Sequence, residues 1–194
     1  MQVIKPSRFA LLIFVIAVCA QGVLCQNDAK QKDLPKLYRV NDGLYRGGQP
    51  TEAGLKQLVQ LRIKTVVNLR DDDERARVEG AAIVTAGLRY FNLPLSNFHK
   101  PNDQEVAQIL SIINAPENQP VFVHCKRGAD RTGTIIAIYR IEHDGWTDHQ
   151  AKQEAETFGL GFWQIRMKDY ISDYYQHKLT KSKSNGSAPQ RKSQ

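Results

Sequence analysis

The chain has 194 residues, 41% of them hydrophobic, which suits one domain with a real core. Its formal charge of +7 sits at the two ends: residues 21–177 hold all 20 acidic residues and 20 of the 27 Lys and Arg. A formally neutral body argues against a nucleic-acid-binding face, and three cysteines argue against a disulfide framework.

Lys5 and Arg8 precede an apolar run from Phe9 to Ala20, and Val18 with Ala20 gives a small-residue cleavage pattern. Residues 1–20 therefore read as a signal peptide cut after Ala20, and the protein as exported, periplasmic or secreted. The run is short of the roughly 20 residues that span a bilayer. An uncleaved membrane anchor reaching Leu24 is the alternative; lipid attachment at Cys25 is disfavoured by the bulky Leu24 before it. The polar residues 21–37 read as a linker.

Leu44-Tyr45-Arg46 reads as a first strand, and Gly47-Gly48-Gln49-Pro50 turns the chain into a helix capped by Thr51, with Leu55, Leu58, Val59 and Leu61 facing inward. Thr65–Leu69 is a short buried strand. Asp71-Asp72-Asp73-Glu74 opens a second helix running toward Ala86. Acidic residues there complement the helix dipole, and the run lacks the spaced oxygen ligands and turn glycine of a calcium loop, so no metal is expected. Leu88–Leu93 is the next strand, and 97–102 a polar loop. Asp103–Ile113 is a helix with Val106, Ile109, Leu110 and Ile113 on one face. Val121–Val123 is a strand, followed by a helix from Thr132 to Asp144. Gly145-Trp146 breaks that helix, and Thr147 caps another to about Phe158. After the turn Gly159-Leu160-Gly161, an amphipathic helix runs from Phe162 to about Leu179. Strands alternating with helices predict an α/β domain over 38–178, a mostly parallel central sheet flanked by helices. Residues 179–194, rich in Ser, Lys and Gln, read as a basic disordered tail.

The chemistry concentrates in His124-Cys125-Lys126-Arg127-Gly128-Ala129-Asp130-Arg131-Thr132-Gly133. A loop between a strand and a helix N-terminus is an anion site, because its N–H groups point inward and the helix dipole favours negative charge. Cys125 at one end supplies a nucleophile, its pKa lowered by the helix end and nearby cations. Arg131 at the other end can hold two phosphate oxygens, which a lysine cannot match. Main-chain amides from Lys126 through Arg127, Gly128, Ala129 and Asp130 to Arg131 complete the cradle, with Gly128 allowing the close approach. Thr132 can donate to the thiolate, and His124 orients the loop. Lys126 and Arg127 at the mouth suit a substrate with more than one phosphate or an acidic phosphopeptide; as solvated loop charges they carry no such meaning.

His-Cys, five residues, Arg and then Thr is similar to the motif of the protein tyrosine phosphatase superfamily. Short length and the strand–loop–helix setting resemble its dual-specificity branch. Leu44-Tyr45-Arg46, Lys64-Thr65-Val66-Val67-Asn68, Tyr139-Arg140-Ile141 and Gly145-Trp146 are similar to segments of small exported bacterial phosphatases, over about residues 38–176. The resemblance implies the cysteine-dependent phosphatase fold. It also implies a phosphocysteine intermediate at Cys125, phosphate binding by Arg131, help from Thr132 in the hydrolytic step, and no metal or other cofactor. Its general acid, an aspartate upstream of the cysteine, has no clear counterpart. Asp103 is the only carboxylate in the 96–103 loop and also suits a helix cap; His99 is a second candidate. Asp130, similar to a loop aspartate of the myotubularin lipid phosphatases, is a third.

The implied partners are a phosphorylated protein or a phosphoinositide or inositol phosphate, with no nucleic acid, membrane contact only through an uncleaved N-terminal segment, and a monomeric chain. A phosphate-binding relative without turnover and a rhodanese-like sulfur carrier are the rival readings; the Arg131-Thr132-Gly133 ending disfavours the latter.

Overall fold

The computed structural model describes residues 32–186. The signal peptide, the anchor alternative, Cys25 and residues 187–194 lie outside the described residues. Five strands form one sheet: β1 (Tyr38–Asn41), β2 (Leu44–Gly48), β3 (Thr65–Asn68), β4 (Arg89–Asn92) and β5 (Val121–Cys125). Six α-helices follow in chain order: α1 (Glu52–Gln60), α2 (Glu74–Thr85), α3 (Asp103–Asn114), α4 (Asp130–His143), α5 (Asp148–Thr157) and α6 (Ile165–Gly186). The strand order is β1-β2-β5-β3-β4, antiparallel only between β1 and β2.

Alternation along the strands divides the core between two faces. Val66 and Phe122 pack with Leu55 and Leu58 of α1 and Ile83 of α2, while Val67, Val121 and Val123 pack on the opposite side with residues of α3, α4, α5 and α6. Every residue from Asp130 to Ile141 of α4 is buried, so that helix has no polar face to give. β5 lies between β2 and β3, in register Gly48↔Cys125 and Asn68↔His124. Cys125 therefore emerges at the carboxyl edge of the parallel strands, where open α/β sheets bind ligands.

Three boundaries differ from expectation. β1 is an extra strand; only Val40 of its four residues is buried, so it leaves little alternation to read. Residues 33–35 belong to the domain rather than to a linker: Leu34 is 1% exposed, the Pro35 carbonyl accepts from Gly48 N–H at 2.6 Å, and Asp33 accepts from the Thr51 hydroxyl at 2.7 Å. One apolar residue among polar neighbours hid this packing. α6 continues to Gly186, past the end expected near Leu179. Lys178 donates to the Ile141 carbonyl at 2.5 Å and pairs with Glu142 at 3.6 Å, a cation at the carboxyl end of α4.

Arg140 ties α4 to α5. It donates to Glu154 at 2.8 Å and to Asp144 at 2.7 Å, and its guanidinium sits 4.7 Å over the Trp146 ring. Arg140→Ala leaves the largely buried Glu154 carboxylate unpaired. Equilibrium denaturation should show a loss of about 3 kcal/mol or more; a loss under about 1 kcal/mol would mark the network as a surface-type pair.

Candidate active site

β5 delivers Cys125, and α4 begins five residues later at Asp130. The N-cap position of α4 is Ala129, and no side chain caps the helix. Its first N–H groups are thus left for an anion. Gly128 adopts φ +67, and a Cβ there would fall within 2.6 Å of the Gly47 carbonyl oxygen. Only glycine meets both conditions, and the loop can close against β2 because of it. Beneath the loop lies Arg46, fully buried, donating to the Gly128 carbonyl at 3.0 Å and stacked 4.0 Å from the Phe158 ring. Burial pulls its pKa down to about 10, against the pull of Glu154 and Cys125. A charged residue in an apolar strand before a Gly-Gly turn is the local signal for this role.

Cys125 is 3% exposed. Burial opposes ionisation of its thiol. Hydrogen bonds from the Thr132 hydroxyl and N–H, the Arg131 charge and the Arg127 N–H together outweigh it, and the pKa falls below the ordinary thiol value. Among the described residues the buried Thr132 hydroxyl is bonded to no oxygen or nitrogen, which leaves its proton for the sulfur. Arg131 donates through Nη1 to the carbonyls of Leu69 at 3.2 Å and Leu95 at 3.4 Å, which fix its plane between the ends of β3 and β4.

The other candidates separate. Asp130 is buried, with one oxygen paired to Arg127 and the other accepting from Gly161 N–H at 3.1 Å. Both oxygens are engaged in anchoring the loop, which assigns it to structure rather than to proton donation. The same pair ties the Arg127 side chain, which stays half exposed, to Asp130. The Lys126 side chain is exposed and borders a cleft of about 750 Å³ between α1 and α2. Asp103 does not reach the cradle. It accepts from Tyr170 at 2.9 Å and borders a groove with Glu142 and Lys178. Glu142 lies 11 residues along α4 from Arg131, about 16 Å at 1.5 Å per residue. Nor is Asp103 the cap of α3: Asn102 caps it, in a reciprocal arrangement with Glu105. His99 is exposed and faces Arg166 at 3.3 Å. The carboxylate that does approach is Asp71, whose Oδ1 is 3.9 Å from Arg131 Nη1. The helix-dipole reading of the aspartate run holds for Asp73, which caps α2, and misses Asp71. Among the described residues no cluster of His, Cys, Asp or Glu could hold a metal ion.

A family model described as DSP-PTPase phosphatase fused to NAD+ kinase matches residues 23–173. The chain belongs to that family. It is 36% identical over 126 residues to the dual specificity protein phosphatase TpbA of Pseudomonas aeruginosa, covering 64% of this chain and 55% of that protein. A crystal structure of P. aeruginosa TpbA in complex with pTyr superposes with a TM-score of 0.59 at 30% identity, covering 74% of this chain and 90% of that one. The inositol diphosphatase DSP4 of Arabidopsis thaliana is 28% identical over 107 residues, 52% of each chain. The chain thus spans about half the length of these curated relatives. The phosphatase fold with its mostly parallel sheet, and membership of the tyrosine and dual-specificity superfamily, agree with the reading of the motif.

Proposed function

We propose that the chain is a cysteine-dependent phosphatase whose substrate is phosphotyrosine in a peptide. One observation carries the reaction: a buried thiol of lowered pKa at an uncapped helix N-terminus, with a guanidinium held by two carbonyls beside it. Cys125 Sγ attacks phosphorus as the bond to the leaving oxygen breaks, and that oxygen takes a proton from a carboxyl at the mouth. Water then attacks the phosphocysteine, inorganic phosphate leaves, and the thiolate returns, helped by the Thr132 hydroxyl. Arg131 holds the equatorial oxygens throughout. The Phe9–Ala20 segment, read as a signal peptide, supports an extracytoplasmic target.

The rim of the site supports an aryl leaving group. Leu95 is bonded to Arg131 and Gly161 to Asp130, so the loops that follow each flank the cradle. Those loops are cross-tied by Gln164 to the Asn97 carbonyl at 3.3 Å and Arg166 to the Phe98 carbonyl at 3.4 Å. They carry Phe98, 80% exposed, Phe162, 82% exposed, and the exposed Trp163, and the exposed Ile165 opens α6 right after them. Such a cluster of exposed apolar groups beside a polar site marks a binding surface, and its aromatic members suit the ring of a tyrosine and apolar neighbours in a peptide.

A panel assay on phosphotyrosine peptide, phosphoserine peptide, phosphoinositide and inositol phosphates tests both parts. The phosphotyrosine peptide should be hydrolysed best, and Phe98→Ala with Trp163→Ala should raise its KM about 30-fold, at about 1 kcal/mol for each of the two aromatic contacts. Faster turnover of an inositol phosphate, unaffected by the double substitution, would replace the peptide reading with that of the inositol diphosphatase relatives. No turnover of any substrate would leave a phosphate-binding module.

A further inference from the structure

Behind the nucleophile two titratable side chains face each other in the core. Glu79 on α2 and His124 on β5 are both buried, and Oε1 of one lies 3.4 Å from Nε2 of the other. Among the described residues neither atom has any other partner. The other carboxyl oxygen, Oε2, accepts from Asn68 Nδ2 at 2.9 Å. The other ring nitrogen, Nδ1, lies 3.4 Å from the Cys125 carbonyl oxygen.

The partners dictate where the protons sit. A carbonyl only accepts, so Nδ1 must carry the hydrogen. A neutral imidazole has one N–H, so Nε2 is then a lone pair. A lone pair facing Oε1 requires the proton on that oxygen, and Oε2, receiving the Asn68 amide, is left as the carbonyl-type oxygen. The contact is thus between a carboxylic acid and a neutral imidazole, not between two ions.

We propose that Glu79 is a positioning residue for Cys125: its protonated carboxyl holds His124 in the Nδ1–H form, and His124 in turn holds the Cys125 main chain at the entrance to the phosphate cradle. The inference rests on the reading of Cys125 as the nucleophile.

The electrostatics agree with this assignment. Burial raises the Glu79 pKa to about 7, opposed by Arg70 and assisted by Asp73. Burial takes His124 down to about 3, against the Cys125 contact and with Arg70 and Arg131. Tyr90, which accepts from Asn68, and Glu74, Arg75 and Lys126 around the α1–α2 cleft are the other polar and charged groups near the pair. Glu79 itself borders that cleft, which gives the proton a route to solvent. When Glu79 ionises, its carboxylate can only accept, and the hydrogen of His124 is drawn to Nε2. Nδ1 then turns a lone pair toward the Cys125 carbonyl, and the contact becomes repulsive.

Glu79→Gln separates this role from simple packing, because an amide is isosteric, does not titrate and can donate to Nε2 at any pH. In the wild type kcat/KM should fall as pH rises through about 7, by about tenfold at pH 8 if the ionised form is inactive. The variant should keep the low-pH rate and lack that limb. Ring nitrogen NMR shifts of His124, which need no turnover, should report Nδ1–H at pH 6, a change toward Nε2–H with a midpoint near 7, and Nδ1–H throughout in Glu79→Gln. A wild-type His124 that is Nε2–H at all pH values, or a variant whose pH–rate profile superimposes on the wild type, would overturn the proposal. A protein that shows the tautomer change but hydrolyses no phosphate would instead sink the phosphatase reading alone.

Discussion

Cys125→Ser is expected to abolish turnover while the protein still folds and binds phosphate. The hydroxyl is close in size to the thiol, so the cradle survives. A serine, however, is not ionised by the contacts that lower the thiol pKa, and the neighbourhood offers no base to activate it: His124 has Nδ1 committed to a carbonyl and Nε2 to Glu79. Arg131→Lys is the companion test. The Leu69 and Leu95 carbonyls orient a planar group, and a lysine ammonium can satisfy one of them but not also clamp two phosphate oxygens. Loss of that clamp should lower kcat by about 10³-fold, the scale of removing a transition-state donor. Steady-state turnover of an aryl phosphate measures both. Residual activity in Cys125→Ser within tenfold of wild type would mean that another group attacks phosphorus.

What could be read from the sequence follows from how local each feature is. Cys125, Gly128, Arg131 and Thr132 fall within eight consecutive residues, and a strand-to-helix loop brings them together by itself. The parallel sheet was legible because β3 and β5 are buried on both faces and read as short unbroken apolar runs. β1 was not, because three of its four residues are not buried. The Asp-Gly pair between β1 and β2 was a usable hairpin signal. The remainder of the site comes from separations that no local pattern encodes. Arg46 reaches Gly128 across 82 residues, and Arg131 reaches Leu69 across 62. Glu79 sits among charged and small residues of a helix with no clear apolar stripe, and only the packing of α2 on the sheet turns it to His124. Asp103 stood beside His99 and Asp130 as a candidate acid because it is the one carboxylate in the 96–103 loop. The fold puts α3's first turn against Tyr170 of α6, and the loop arrives at the cradle through Leu95 instead.

That leaves Asp71, among the described residues, as the carboxylate within 4 Å of the Arg131 guanidinium, and the leaving group decides how much it matters. Its side chain is exposed, at the end of β3, and 3.9 Å from the Arg131 guanidinium. An acid there can deliver a proton at the mouth, where the leaving oxygen must depart if Cys125 attacks from the floor. An alkoxide departs poorly without that proton, whereas a phenolate, whose conjugate acid has a pKa of about 10, needs it less. Asp71→Asn should therefore slow hydrolysis of an alkyl phosphate about 100-fold or more, within the range of general acid catalysis, and slow an activated aryl phosphate several-fold at most. Asp103→Asn should change neither, since its carboxyl is bound to Tyr170. An equal loss on both substrates in Asp71→Asn would mean that the carboxylate steadies Arg131 and transfers no proton. A loss confined to the alkyl phosphate in Asp103→Asn would mean that the first turn of α3 moves to the cradle when substrate binds, and the acid would then be Asp103 after all.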